Sequence, residues 1–197
     1  MRRSIPALIV VALAALAVAF AQGGSYLANV ATSAGLPEGE PARYFHWTTA
    51  GFPVRVHIPA APEGAPADAA VTARAGFEAW AQAAPDLVSF EFVTDPADAQ
   101  VLVEWSQTIG AIGSWRYTWA RDETGWRLAG VTAILPVNVG GPQLRVAAVL
   151  QAGRGLGLLG RSPFQGDALG PAPSGSVTGN DVATLRELYQ IPVGQAR

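Results

Sequence analysis

The sequence predicts a single α+β domain, a mixed α/β fold in its order of strands and helices. Three observations carry that expectation. Val54, Val56 and Ile58 alternate with Arg55 and His57, the period of a half-buried strand. Residues 69–84 repeat apolar side chains at helical spacing. Between residue 54 and the C-terminus the patterns follow in the order β-α-β-β-β-β-α-loop-α, with no internal repeat. The chain has 197 residues and a 50% hydrophobic share, enough for one core of ordinary size. Gly 22 and Pro 15 fall short of a low-complexity chain.

The elements can be justified in turn. Residues 22–42 are small, polar and Gly/Pro-containing, and read as a linker ahead of a domain over 43–197. The first strand lies in "RYFHWTTAGFPVRVHIP". Asp68 stands where a helix cap belongs, and Ala70, Ala73, Phe77, Trp80, Ala81 and Ala84 share one face of the helix that follows. Pro85-Asp86 stops it. "LVSFEFV" alternates, whereas "AQVLVEW" and "GVTAILPV" are nearly continuous apolar runs, as in buried strands. "GSWRYTWARDETGWRL" has turn chemistry at its centre and predicts a hairpin or edge strand. A second helix is expected over 143–159, and a turn-rich loop over 160–179. The last helix opens at "TGNDVATLRELYQ", with Thr178 and Asp181 in capping-box positions and Val182, Leu185, Leu188 and Tyr189 as its buried stripe.

The N-terminus has its own chemistry. Arg2 and Arg3 precede an apolar run that ends in Ala19-Phe20-Ala21, the small-x-small pattern of a signal-peptide cleavage site. Residues 1–21 are therefore expected to be a signal peptide, and the mature domain to be secreted or held in the cell envelope. The other reading is an uncleaved anchor, since the run is near the lower length for spanning. With the leader removed, no membrane association is expected. There is no cysteine, so neither disulfides nor thiolate metal ligands are available. The formal charge is −2 and every basic residue is an arginine. No basic stripe points to nucleic acid.

The chemistry of interest lies in "VAAVLQAGRGLGLLGRSPFQGDALGP", residues 146–171. Its glycine punctuation resembles the metzincin zinc site H-E-x-x-H-x-x-G-x-x-H and the Met-turn after it. In that site two histidines one helical turn apart grip zinc, a glutamate serves as base, and a glycine lets the chain turn back to a third histidine. Laid on this frame, Leu150 takes the first histidine position, Gln151 the glutamate and Arg154 the second histidine. Arg161 is the candidate third position, one residue later than the standard spacing, a longer form that some bacterial members resemble. Leu169 stands where the Met-turn methionine would be. The closing pattern Asp181, Leu185, Leu188 and Tyr189 resembles the last matrixin helix, and "ADAQVLVEW" resembles the strand after that family's first helix. The resemblance covers roughly 43–191 and implies a twisted, mostly parallel sheet with three helices.

No intact catalytic residue remains at these positions. Leucine has no lone pair, a glutamine amide is a poor ligand and no base, and arginine has no acceptor. No cofactor is therefore expected, although the family uses zinc. His46 and His57 are the only histidines, and each reads as a surface or edge-strand residue. Gly153, Gly157 and Gly160 remain, which implies that the fold is kept where the chemistry is lost. Trp115, Tyr117, Trp119 and Trp126 are either a cleft lining or sheet packing.

Three functional readings follow. The first is a catalytically inactive matrixin-like exported domain with a binding or structural role, its partner an extended peptide or an acidic protein segment. In that case Arg154 and Arg161 would reach solvent or a carboxylate, Asp167 being nearest in sequence. The second is a zinc metalloendopeptidase whose metal is supplied by other residues. The third is an unrelated exported structural domain, in which "GRGLGLLG" is an ordinary helix end. The oligomeric state is not readable from the sequence.

Overall fold

A computed structural model of the protein describes residues 24–123 and 125–197. The expected signal peptide lies outside the described residues. Five strands form one sheet: β1 (Val54–His57), β2 (Phe90–Phe92), β3 (Val101–Ser106), β4 (Ser114–Asp122) and β5 (Gly125–Pro136). Their order is β2-β1-β3-β5-β4. Every pairing is parallel except that of β4 with β5, an antiparallel hairpin with a register shift at Thr118/Trp119. The three α-helices are α1 (Ala69–Ala83), α2 (Gly141–Gly155) and α3 (Gly179–Leu188). The mixed α/β fold with a mostly parallel sheet and three helices is thus the one expected.

The core is a single cluster that joins the sheet and the α1–α2 pair to Leu185 and Leu188 of α3 and to Tyr26 and Val30 near the N-terminus. Ala73, Phe77, Trp80 and Ala84 of the expected α1 stripe are buried. The face is turned slightly, with Ala69 and Gly76 inside and Ala70 and Ala81 only half-buried. Gly76 lies against the backbone of Ala148, so the two helices cross at close range there. The buried indole of Trp80 donates to the Val149 carbonyl at 2.8 Å, which satisfies a polar group deep in the interface.

Several expectations need correction. Asp68 occupies the cap position of α1 but makes no side-chain cap bond; its carboxylate accepts from Thr72 Oγ1 instead. β2 is only three residues long, because the amides of Leu87 and Val88 turn back to the Ala84 carbonyl. β3 alternates: Val101 and Val103 are buried, while Glu104 faces out and binds Arg116. β1 lies between β2 and β3, so His57 is on an inner strand. His46 is buried, not at the surface. In α3 the buried face includes Asp181 and Thr184, while Val182 and Tyr189 are half-buried.

α2 ends at Gly155, four residues before the expected limit. The amide of Leu158 bonds to the Gly153 carbonyl and that of Gly157 to Arg154, the paired bonds of a Schellman stop. Gly157 has φ +100, a conformation open to glycine. Residues 24–42, within the segment expected as a linker, are packed into the fold. Tyr26 and Val30 are buried, and Thr32 pairs with Arg43. No helix among the described residues is long and apolar enough to cross a membrane.

Candidate functional site

The last turns of α2 are buried on all sides, from Ala147 to Gly155. Three of the positions laid on the metzincin frame, Leu150, Gln151 and Arg154, therefore lie in the interior. Leu150 is fully buried yet stands outside the contiguous core cluster. Gln151 donates through Nε2 to the Ile112 carbonyl at 2.7 Å, two residues before β4, while its buried Oε1 has no hydrogen-bond partner among the described residues.

Arg154 is the unusual group. It is 1% exposed, and among the described residues no carboxylate pairs with it. Its Nη1 donates to the carbonyls of Leu158 and Leu159, just beyond the Schellman stop. Its guanidinium carbon lies 4.2 Å from the centre of the Trp115 ring. Carbonyl dipoles and an aromatic face thus meet the positive charge. Burial still lowers its pKa to about 10. The buried Nε has no hydrogen-bond partner among the described residues.

Arg161 lies after the turn and is exposed. It is close enough for its charge to bear on Arg154. The expectation that both arginines reach solvent or an acidic partner therefore holds for Arg161 and fails for Arg154. Asp167 is not their partner. It accepts from Ser162 Oγ, from Thr178 Oγ1 at 2.7 Å and from Asn180 Nδ2 at 3.1 Å, which ties the loop to the start of α3. Leu169, the Met-turn position, is buried in the core against Gly153.

Sequence reasoning missed the polar anchor beside this loop. Asp181 accepts from Tyr26 Oη at 2.7 Å and from the Ala168 amide at 2.8 Å, besides closing the capping box with Thr178. Thr184 accepts from the Tyr26 amide at 3.0 Å. No spacing could reveal this, because the partner lies more than 150 residues away in the segment taken for a linker. Two aromatic donors also serve the end of α2. Trp47 Nε1 reaches the Gly155 carbonyl at 2.8 Å, and Tyr189 Oη reaches Leu156 at 3.0 Å. Both satisfy carbonyls that a helix end leaves free.

These residues do not fit zinc. Leu150 offers no donor atom, Gln151 offers an amide, and Arg154 places a cation where a ligand would stand. His46 has both ring nitrogens facing carbonyls, Trp47 O and Ile191 O, each at 2.8 Å. His57 Nδ1 faces Val93 O at 3.2 Å. Among the described residues, no group of three or more His, Cys, Asp or Glu could hold a metal ion.

A groove of about 400 Å³ opens between the N-terminal segment and β4. Trp115, Tyr117 and Trp119 form one wall; Ala34, Gly35 and Leu159 also line it. Tyr117 stacks on Trp119 at 5.2 Å, and Trp119 stacks on Phe45 at 4.1 Å. Trp119 Nε1 donates to the Ala34 carbonyl at 3.1 Å. Residues 115, 117 and 119 alternate with the pleat and so share one face of β4; the register shift at Thr118/Trp119 takes up an extra residue on β5. Trp126 is not among the lining residues; the Arg121 guanidinium lies 5.4 Å from its ring. Compared with known proteins, the chain matches no family model and no curated relative.

Proposed function

We propose that the protein is a catalytically inactive, matrixin-like exported domain whose role is to bind an extended peptide along β4. The observation that carries this reading is the buried Arg154, which places a cation and its own carbonyl partners at the second metal-ligand position. The side chains at the four substituted positions supply neither a Lewis acid's ligands nor a general base. Peptide hydrolysis is therefore not among the activities they can perform.

Binding asks less. β4 is the terminal strand of the sheet, so its outer backbone edge is available to an added strand. The aromatic groove beside it can take the side chains of such a strand. The test is twofold. Purified protein should contain no stoichiometric zinc and show no chelator-sensitive cleavage of a mixed peptide pool. The same pool should protect β4 backbone amides from hydrogen exchange. Stoichiometric zinc with chelator-sensitive cleavage would favour the metalloendopeptidase. Absence of both cleavage and protection would leave a structural domain.

A further inference from the structure

We propose that residues 33–42 form a strap that closes the β4 groove and swings away when a peptide lies along the strand. The proposal rests on the peptide-binding reading and names how access to that site is controlled. Thr32 and Arg43 form an antiparallel pair, each amide donating to the other's carbonyl at 2.9 Å. The chain is anchored on both sides of this neck. Val30 is buried before it, and Tyr44 and Phe45 are buried after it. The strap is thus a loop with a fixed base, free to move as a unit while its flanks stay in place.

The tip of the strap meets the aromatic wall. Ala34 and Gly35 line the groove together with Trp115, Tyr117 and Trp119 of β4. The Ala34 carbonyl accepts from Trp119 Nε1 at 3.1 Å, and a Cβ on Gly35 would stand 3.0 Å from that same nitrogen. Farther along, Glu40 Oε1 approaches Arg121 Nη1 near the end of β4, at 3.9 Å. A strand added along β4 would bring its side chains to the same rings. What holds the strap down is slight. No residue of 33–42 is buried; Leu36, Glu40 and Ala42 are half-buried and the rest are exposed. The run "SAGLPEGEPA" offers one large apolar side chain, Leu36, to the core. Its remaining contacts lie at the neck: Glu40 binds Arg43 at 2.8 Å, and the Ala42 carbonyl accepts from the Arg197 amide at 2.9 Å. Segments with so few buried apolar contacts open far more readily than the core does. One neutral hydrogen bond and one long, exposed ion contact favour the closed form by roughly tenfold. Binding that requires the open form is weakened by the same factor.

The experiment replaces residues 33–42 by Asn-Gly, a two-residue turn suited to an antiparallel pair bonded as Thr32 and Arg43 are. Circular dichroism checks the fold, and the β4 wall is untouched. The unaltered protein and the strapless variant are titrated with the mixed peptide pool and followed by tryptophan fluorescence. The variant should bind about tenfold more tightly. A second reading keeps the strap in place. The chain has no cysteine, so Glu38→Cys supplies one thiol for a spin label at an exposed position of the strap. The label should broaden β4 amide signals in the free protein, and the peptide pool should relieve that broadening. Equal or weaker binding by the strapless variant would overturn the strap and leave the groove reading intact. Broadening that persists with peptide bound would do the same, and this reading decides the matter if the strapless variant does not fold. Binding by neither form would overturn both readings.

Discussion

Arg154 shows how one buried side chain can hold a loop through its donors. A histidine here would offer a lone pair to a metal, whereas arginine offers only donors. Those donors turn to the carbonyls of Leu158 and Leu159, so the loop after α2 is held by the residue itself. The glycines around it are fixed by contact. A Cβ on Gly157 would fall on the Phe45 carbonyl, and one on Gly160 would fall on the Asn29 carbonyl. Both obstructions are backbone and cannot rotate away. Gly160→Ala is expected to destabilise the fold by ~3 kcal/mol or more, in the range of severe steric lesions. Chemical denaturation of the variant beside a neutral surface substitution checks this. A loss under ~1 kcal/mol would mean that the N-terminal segment moves aside freely. That these glycines matter was legible in the sequence. Their reason was not, because Phe45 and Asn29 are more than 100 residues distant.

Among the elements, α2 carries the whole candidate metal frame except its last position. Leu150 and Arg154 are one turn apart, and Arg161 comes back after the Gly157 turn close enough to affect the charge of Arg154. Leu150→His, Gln151→Glu, Arg154→His and Arg161→His together are expected to create a site for about one zinc, three histidines being the protein share of a catalytic centre. Variants lacking any one of the three histidine changes should bind zinc at least tenfold more weakly. The variant lacking only Gln151→Glu should bind metal and fail to cleave peptide, since the base is missing. Zinc titration with a competing chelator and a peptide-cleavage assay separate these outcomes. A quadruple variant that binds no zinc would sink the metzincin frame. The helix itself was legible from its spacing, but its end was not. The Schellman stop depends on a backbone conformation that the run "GLGLL" permits at more than one glycine.

At the scale of the whole molecule, burial couples the fold to alkaline pH. Tyr26, Tyr117 and Tyr189 have their phenol pKa values pushed well above the ordinary 10.0, chiefly by burial, and for Tyr26 also by the neighbouring Asp181 carboxylate. A folded-state pKa above the unfolded one contributes stability below pH 10.0 that is lost as the pH climbs past it. Arg154 acts in the opposite sense. Its folded pKa of about 10 lies below the ordinary guanidinium value, so across that interval it favours the folded state as pH rises. Three phenols against one guanidinium leave a net loss of stability above about pH 10. These tyrosines should ionise only as the protein unfolds, so phenolate absorbance and loss of far-ultraviolet circular dichroism should coincide. Ionisation of all three in a protein that keeps its dichroism would refute the coupling. Tyr189→Phe should move the transition to higher pH.

The sequence by itself determined the kinds of element, their order and which side chains stand at positions 150, 151 and 154 of α2. These rest on local periodicity, on glycine placement and on the donor chemistry of single side chains, all of which are carried by near neighbours in the chain. The tertiary structure alone decided that residues 24–42 are packed, that Arg154 is buried over Trp115, and that Asp167 serves Ser162, Thr178 and Asn180. It also decided that Trp126 parts from the other three aromatics. Each of those facts depends on which distant backbone supplies a hydrogen-bond partner or closes off water. A small, polar, Gly-containing stretch reads as a linker until Tyr26 meets Asp181, and an arginine reads as a surface charge until helix, loop and strand close around it.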